Sequence, residues 1–207
     1  MIQYPSIDAQ IRSGHYYVFP KFDGSNCRAQ WNRKRSFYKF GKRNGLLDDQ
    51  TPYLSQAKDL ILSLYGDQLD EIFRSKRVDE ATAFFEFYGP TSAFGVHYDE
   101  PHTVTLIDIH VHKRGILLPN EFLDWCRYID HAPCLYQGPI NEDLIRQIKD
   151  GTLEGMAFEG VVCKGKGKHG PDMFKIKSNA WYQTLRDRCK TTSRNEQEAE
   201  AMFTRLS

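Results

Sequence analysis

The residues from Lys21 to Asn26 could do chemistry. Lys21-Phe22-Asp23-Gly24-Ser25-Asn26 puts a lysine at the end of the strand-like run Tyr17 to Pro20, just before an Asp-Gly turn. Two readings fit: a hairpin with an exposed lysine, or a lysine nucleophile whose place the turn fixes. An amine attacks only when neutral, so the second reading needs burial or nearby cations to lower its pKa. Met173-Phe174-Lys175-Ile176-Lys177 offers such cations. Residues two apart share a strand face, so Lys175 and Lys177 point the same way and repel unless an anion lies between them. An edge strand guarded by lysine is the alternative. Glu159, in Phe-Glu-Gly-Val-Val, and Glu86, in Phe-Phe-Glu-Phe-Tyr-Gly, sit in apolar runs that read as strands. A carboxylate there is costly unless it faces solvent, is paired, or binds a metal or hydroxyl. Gly41 to Gly45 closes a basic stretch (Arg28, Arg33, Lys34, Arg35, Lys39, Lys42, Arg43) with no acidic residue between Asp23 and Asp48. It reads as a solvated face or as phosphate contact. Cys27 has no histidine partner readable from the sequence, which argues against a thiol nucleophile.

The elements that must position these groups are mixed. Tyr16 to Lys42 reads as short antiparallel strands with turns. Apolar residues from Leu54 to Tyr65 recur at helical spacing, Gly66 reads as the stop, and Asp67 to Phe73 as a further helical turn or two. Ala81 to Gly89 and His102 to Val111 are strands. Asn120 to Tyr128 and Asn141 to Lys149 are helices, the second capped by Asn141 and closed near Gly151. Met156 to Lys164 and Asp172 to Lys177 are strands around the Gly- and Lys-rich segment 165–170, and the polar stretch from Trp181 is helix-prone. Strands and helices without regular βαβ alternation point to an α+β fold with antiparallel sheets.

The 207 residues are 40% hydrophobic and 27% charged, an ordinary globular composition. Lys plus Arg is 28 against Asp plus Glu at 27, so any electrostatic footprint for nucleic acid must be local. No apolar run approaches the roughly 20 residues that span a bilayer. The N-terminus lacks the apolar core of a secretory signal. Five scattered cysteines without metal-ligand spacing read as reduced thiols in a cytoplasmic protein.

The order KFDGSN, KRNG, FFEFYG, LIDI, EGVV, KIK between Tyr16 and Lys177 resembles the covalent nucleotidyltransferases, the polynucleotide ligases and mRNA-capping guanylyltransferases. Asn26, five residues after the lysine, is similar to the RNA ligases of the bacteriophage and RNA-editing type, where DNA ligases and capping enzymes carry arginine. The resemblance implies an ATP-grasp-like ligase adenylation core: two antiparallel sheets with flanking helices around a nucleotide groove, over residues 1–180. A short helical tail, 181–207, would follow, with no oligonucleotide-binding barrel. It further implies ATP, carried as AMP on Lys21, and Mg²⁺ or Mn²⁺ on Glu159. Lys175 and Lys177 would hold phosphates. Pro20, Phe22, Asn26, Arg43, Glu86, Ile107 and Lys164 would line the nucleotide and acceptor site, with Leu106 and Ile107 standing where the family often has an adenine-stacking aromatic. The implied activity is ATP-dependent joining of 5′-phosphate and 3′-hydroxyl RNA ends, nicked or duplex-associated, with a partner protein able to supply a nucleic-acid-binding domain. Alternatives are a minimal DNA nick ligase, a guanylyltransferase and a non-catalytic end-binding protein.

Overall fold

Alternation along each strand decides which side chains meet a helix and which are left for chemistry. The computed structural model describes residues 1–47, 54–92, 97, 99–168, 170–193 and 195–206. Asp48, His169, Arg194 and Ser207, which the readings above touch, lie outside the described residues. In chain order the elements are β1 (His15–Pro20), β2 (Ser25–Asn32), β3 (Ser36–Lys42), β4 (Gly45–Leu46), α1 (Ser55–Ser75), β5 (Glu80–Tyr88) and β6 (Thr103–Val111). Then come β7 (Gly115–Ile116), α2 (Pro119–Trp125), β8 (Tyr136–Pro139), α3 (Glu142–Asp150), β9 (Gly160–Lys166), β10 (Pro171–Lys177), α4 (Asn179–Thr192) and α5 (Glu196–Leu206). They form two compact units: residues 1–7, 23–133 and 164–173, and residues 8–22, 134–163 and 174–207. Among the described residues no helix is long and apolar enough to cross a membrane.

The first unit is built on a six-stranded sheet in the order β4-β3-β2-β5-β6-β7, every pairing antiparallel. One face carries Cys27, Ala29 and Trp31 from β2, Ala83, Phe85 and Phe87 from β5, and Val104 and Leu106 from β6, all buried. Helix α1 closes that face with Ala57, Ile61, Tyr65, Leu69 and Phe73, spaced four apart. Trp31 meets Phe73 and Tyr65 meets Phe85, each with ring centroids 5.2 Å apart. Each fully buried side chain of this size stabilises by about 1.5–3 kcal/mol. That stripe explains why Gly66 does not stop the helix. Leu69 and Phe73 continue the buried face, so α1 runs unbroken for 21 residues. Packing of the stripe outweighs the roughly 1 kcal/mol helix cost of one glycine.

The second unit is built on a four-stranded sheet in the order β10-β9-β1-β8. Tyr16 and Val18 of β1, Val161 and Cys163 of β9, and Phe174 and Ile176 of β10 form its core with Leu144 and Ile148 of α3. The α3 caps are those expected: the Asn141 side chain accepts from the Leu144 N–H at 2.8 Å, and Gly151 sits left-handed at φ 73°. The polar C-terminal stretch is two helices, and α4 buries Trp181, Leu185 and Cys189. An arm outside every expected strand also joins this unit: Asp8 bridges Phe174 in parallel, and its carbonyl accepts from the Lys175 N–H at 2.9 Å.

Since Gly66 is an interior helix residue whose added Cβ would meet only Leu62 Cδ2 at 3.8 Å, Gly66→Ala is expected to stabilise the protein by about 0.5–1 kcal/mol. Urea unfolding checks this. A loss of stability would mean that α1 is interrupted there, as the sequence reading has it.

Candidate active site

Lys21 follows β1, and its N–H donates to the Gly160 carbonyl at 2.9 Å, which holds the lysine beside the start of β9. Glu159 is not inside a strand, as its apolar neighbours suggest; it occupies the tight turn before β9, where Gly160 N–H donates to the Ala157 carbonyl at 3.0 Å. Gly160 has φ +133°, and a Cβ there would lie 2.1 Å from the Ile176 carbonyl oxygen. Only glycine lets the turn approach β10 so closely. The start of α4 ties down the same turn: Ser178 N–H donates to the Glu159 carbonyl at 3.1 Å and Ser178 Oγ to the Phe158 carbonyl at 2.7 Å. Ser178 Oγ also accepts from the Trp181 N–H as the helix N-cap.

These constraints put one carboxylate between two ammonium groups. Lys21 Nζ lies 2.8 Å from Glu159 Oε2, and Lys177 Nζ lies 3.4 Å from Oε1. The anion beside Lys177 is therefore Glu159, and the second cation it meets is Lys21. Phe174 and Ile176 face the core, so Lys175 and Lys177 share the opposite face of β10. Lys177 is buried, and its pKa is lowered to about 8: burial is the largest cause, Lys175 and Lys21 also lower it, and Glu159 opposes them.

Sequence reasoning missed two aromatic residues here. The Lys177 ammonium sits 3.4 Å from the centroid of the Trp181 ring, a cation–π contact that favours the charged form. Tyr182 lies next along α4, its pKa raised by burial and by the charge of Glu159. The only sequence signal for either was position: Trp181 stands four residues after Lys177, across a strand-to-helix junction capped by Ser178.

In the first unit, the sheet face opposite α1 is polar. Asn26, Glu86 and Thr105 are paired in register across β2, β5 and β6, so they form one row. Asn26 Nδ2 donates to the Phe85 carbonyl at 3.4 Å, whereas its Oδ1 is buried with no hydrogen-bond partner, as is Arg28 Nε. A buried acceptor left unmatched costs about 1–3 kcal/mol, and Oδ1 suits a ligand hydroxyl. Further along the face, residues 1–7 lie across the sheet. Arg28 donates to the Ile2 carbonyl at 2.9 Å, and Tyr4 packs on Phe84 with ring centroids 5.0 Å apart. The Gly24 turn approaches β5 so closely that a Cβ would be 2.4 Å from the Phe87 carbonyl oxygen.

The remaining expected residues fall in both units. Lys164, read as a phosphate contact, is buried instead: its ammonium donates to Asp108 at 2.7 Å and to the Ile107 carbonyl at 2.8 Å. Tyr4 donates to the same Asp108 carboxylate. Ile107 is half-buried at a bulge opposite Phe84 and Phe85, while Leu106 is fully buried on the α1 face and so cannot lie over a nucleotide. Arg43 is exposed in the β3–β4 turn, Pro20 is buried and Phe22 is half-buried. Cys27 is no nucleophile: burial first, then Glu86, push its thiol up to about 12.

The RNA ligase family profile matches residues 14–177, and the chain belongs to that family. Its fold is similar to a Naegleria gruberi RNA ligase with PPi: TM-score 0.62 at 20% identity, covering 84% of this chain and 52% of that one. An apo aspartate-to-alanine variant of that ligase gives TM-score 0.63 at 17% identity, covering 90% and 60%. A lysine-to-alanine variant with ATP and Mn gives 0.60 at 19%, covering 81% and 50%. The likeness is one of fold, and the chain spans about half of those proteins' length. No curated protein matches the sequence.

With the Lys177 pKa lowered to about 8 by burial, its ¹³Cε resonance should titrate there, well below the ordinary lysine range. In Glu159→Gln, which removes the charge that raises it, the midpoint should fall further. A wild-type midpoint near 10.4, the ordinary lysine value, or a midpoint that Glu159→Gln leaves in place, would contradict the arrangement.

Proposed function

We propose that this chain is the adenylylating and sealing core of an ATP-dependent RNA ligase. The observation that carries the reading is the Lys21–Glu159–Lys177 cluster, with both ammonium groups within 3.4 Å of one buried carboxylate, in a chain of the RNA ligase family. In the first step Lys21 Nζ, as a neutral amine, forms a bond to the α-phosphorus of ATP. The bond from that phosphorus to the bridging oxygen breaks, and pyrophosphate leaves. Glu159 Oε2, at 2.8 Å, is a base within reach of the proton that Nζ sheds. Lys175 and Lys177 offset the negative charge on the phosphates, which is most of what phosphoryl transfer asks of a protein. In the second step an oxygen of an RNA 5′-phosphate attacks the same phosphorus and the N–P bond breaks, restoring Lys21. In the third, a 3′-hydroxyl attacks the 5′-phosphorus and AMP leaves.

Glu159 offers a carboxylate oxygen of the hard kind that Mg²⁺ and Mn²⁺ take. Among the described residues no group of three or more His, Cys, Asp or Glu side chains could cage a metal. Glu159 would therefore hold Mg²⁺ or Mn²⁺ together with phosphate oxygens and water, as Mg²⁺ is commonly bound. Such an ion supplies charge neutralisation at the phosphates. Glu86 and Asn26 Oδ1, in one row with Thr105, suit the ribose hydroxyls and the acceptor end. Pro20 and Phe22, on either side of Lys21 in the chain, suit contacts to the nucleotide it would carry.

Incubation with α-labelled ATP or GTP and a divalent ion, followed by a denaturing gel, tests the chemistry. ATP should label the chain covalently. Preferential labelling by GTP would replace the ligase reading with a capping one. Lys21→Ala should show no label, yet still join RNA whose 5′ end is chemically pre-adenylylated. Lys175→Ala and Lys177→Ala should each lose about 100-fold or more in labelling, the scale of removing one preorganised charge contact. Labelling of Lys21→Ala, or normal labelling by folded Lys177→Ala, would contradict the assignment.

A further inference from the structure

The basic stretch from Arg28 to Arg43 does not stay together in the fold. Arg28 is buried beneath residues 1–7, and Lys42 and Arg43 lie at the Asn26 end of the sheet. Arg33, Lys34 and Arg35 form the β2–β3 turn at the other end, where distant residues join them. Arg33 N–H donates to the Asp79 carbonyl at 3.1 Å and its guanidinium to the Val78 carbonyl at 3.3 Å, which brings Arg77 alongside. His112 N–H donates to the Glu80 carbonyl at 3.0 Å, which brings Lys113 next to them. With strands in the order β3-β2-β5-β6, this edge is about 14 Å wide at the usual strand spacing.

Nearby carboxylates are mostly engaged elsewhere. Glu121 pairs with Arg114 at 2.7 Å, Asp124 with Lys76 at 3.3 Å and Arg127 at 2.6 Å, and Glu80 accepts from Gln30. Asp79 lies 3.8 Å from Arg33. Lys34, Arg35, Arg77 and Lys113 are exposed and have no carboxylate partner among the described residues. In a chain of net charge +1, four such cations on one edge are a concentration of charge. Short, fixed turns present them. Asn32 Oδ1 accepts from the N–H groups of Lys34 and Arg35 at 3.0 and 2.8 Å, and Arg77 and Lys113 hold φ of +57° and +66°, where glycine or asparagine is usual. None of the exposed large apolar residues (Ile2, Ile11, Leu46, Leu62, Leu64, Tyr128) lies on these turns. The edge therefore lacks the apolar anchor that a protein partner would use.

We propose that this edge binds the phosphate backbone of the RNA flanking the ends to be joined. It lies about 20 Å along β2 from Asn26 and Glu86, at the usual rise per residue. The identity of the polyanion rests on the ligase reading; the surface itself does not. The test is a variant carrying Lys34→Gln, Arg35→Gln, Arg77→Asn and Lys113→Asn, in which asparagine keeps the left-handed turns. Duplex RNA should bind about tenfold or more weakly at low salt, and the slope of log affinity against log salt should fall by about 3, roughly 0.7–0.9 per lost phosphate contact. ATP labelling should stay within about twofold, since these residues take no part in the lysine chemistry. The charge-preserving Arg77→Lys, Lys113→Arg variant should bind RNA as the wild type does. Unchanged RNA affinity and salt slope in the quadruple variant would overturn the proposal, as would loss of poly-glutamate binding without loss of RNA binding. Absence of ATP labelling in the wild type together with the expected RNA result would sink the ligase reading and leave the docking surface standing.

Discussion

The carboxylate of Glu159, buried and held between the ammonium groups of Lys21 and Lys177, is the interaction around which the second unit is arranged. Remove it and two cations face each other without the anion between them; remove either lysine and Glu159 loses one of the two charges that compensate its burial. The cluster needs three chain segments brought to one place. Gly160 permits the turn to touch β10, Ser178 ties the turn to α4, and Tyr16, Val18, Val161, Phe174 and Ile176 pack β1, β9 and β10 on one core. Trp181 then gives the Lys177 ammonium a ring to rest on, which offsets part of the burial that lowers its pKa.

The first unit follows a different logic. Its sheet commits one face to α1 and leaves the other polar, and residues 1–7 cover the part of that face around Arg28, Phe84 and Asp108. What stays at the Asn26–Glu86 end includes a buried oxygen without a partner. Lys164 and Asp108 form a nearly fully buried pair that holds β6 at its bulge. That pair positions structure within the first unit.

Much of this was legible in the sequence because the signals were local. Strand alternation located β1–β3, β5 and β6, and Asn141 with Gly151 marked α3. The shared face of Lys175 and Lys177 follows from strand parity alone. The misreadings share a cause, since each depended on a contact distant in sequence. Gly66 looks like a stop until Leu69 and Phe73 are seen against the sheet. Glu159 looks like a strand residue until the turn at Gly160 meets Ile176. Lys164 looks like a phosphate ligand until Asp108, 56 residues earlier, takes its charge. Residues 1–14 show no periodicity, and their contacts with Phe84, Arg28 and Phe174 are all long-range.

In the proposed reaction Lys21 carries AMP. Peptide mapping by mass spectrometry, on wild-type protein incubated with ATP and Mg²⁺, tests it most directly. A single AMP adduct in an N–P bond is expected on the peptide containing Lys21, lost in mild acid and kept in alkali. An adduct on Lys175, Lys177 or any other residue, or no adduct on protein that still seals RNA, would contradict it.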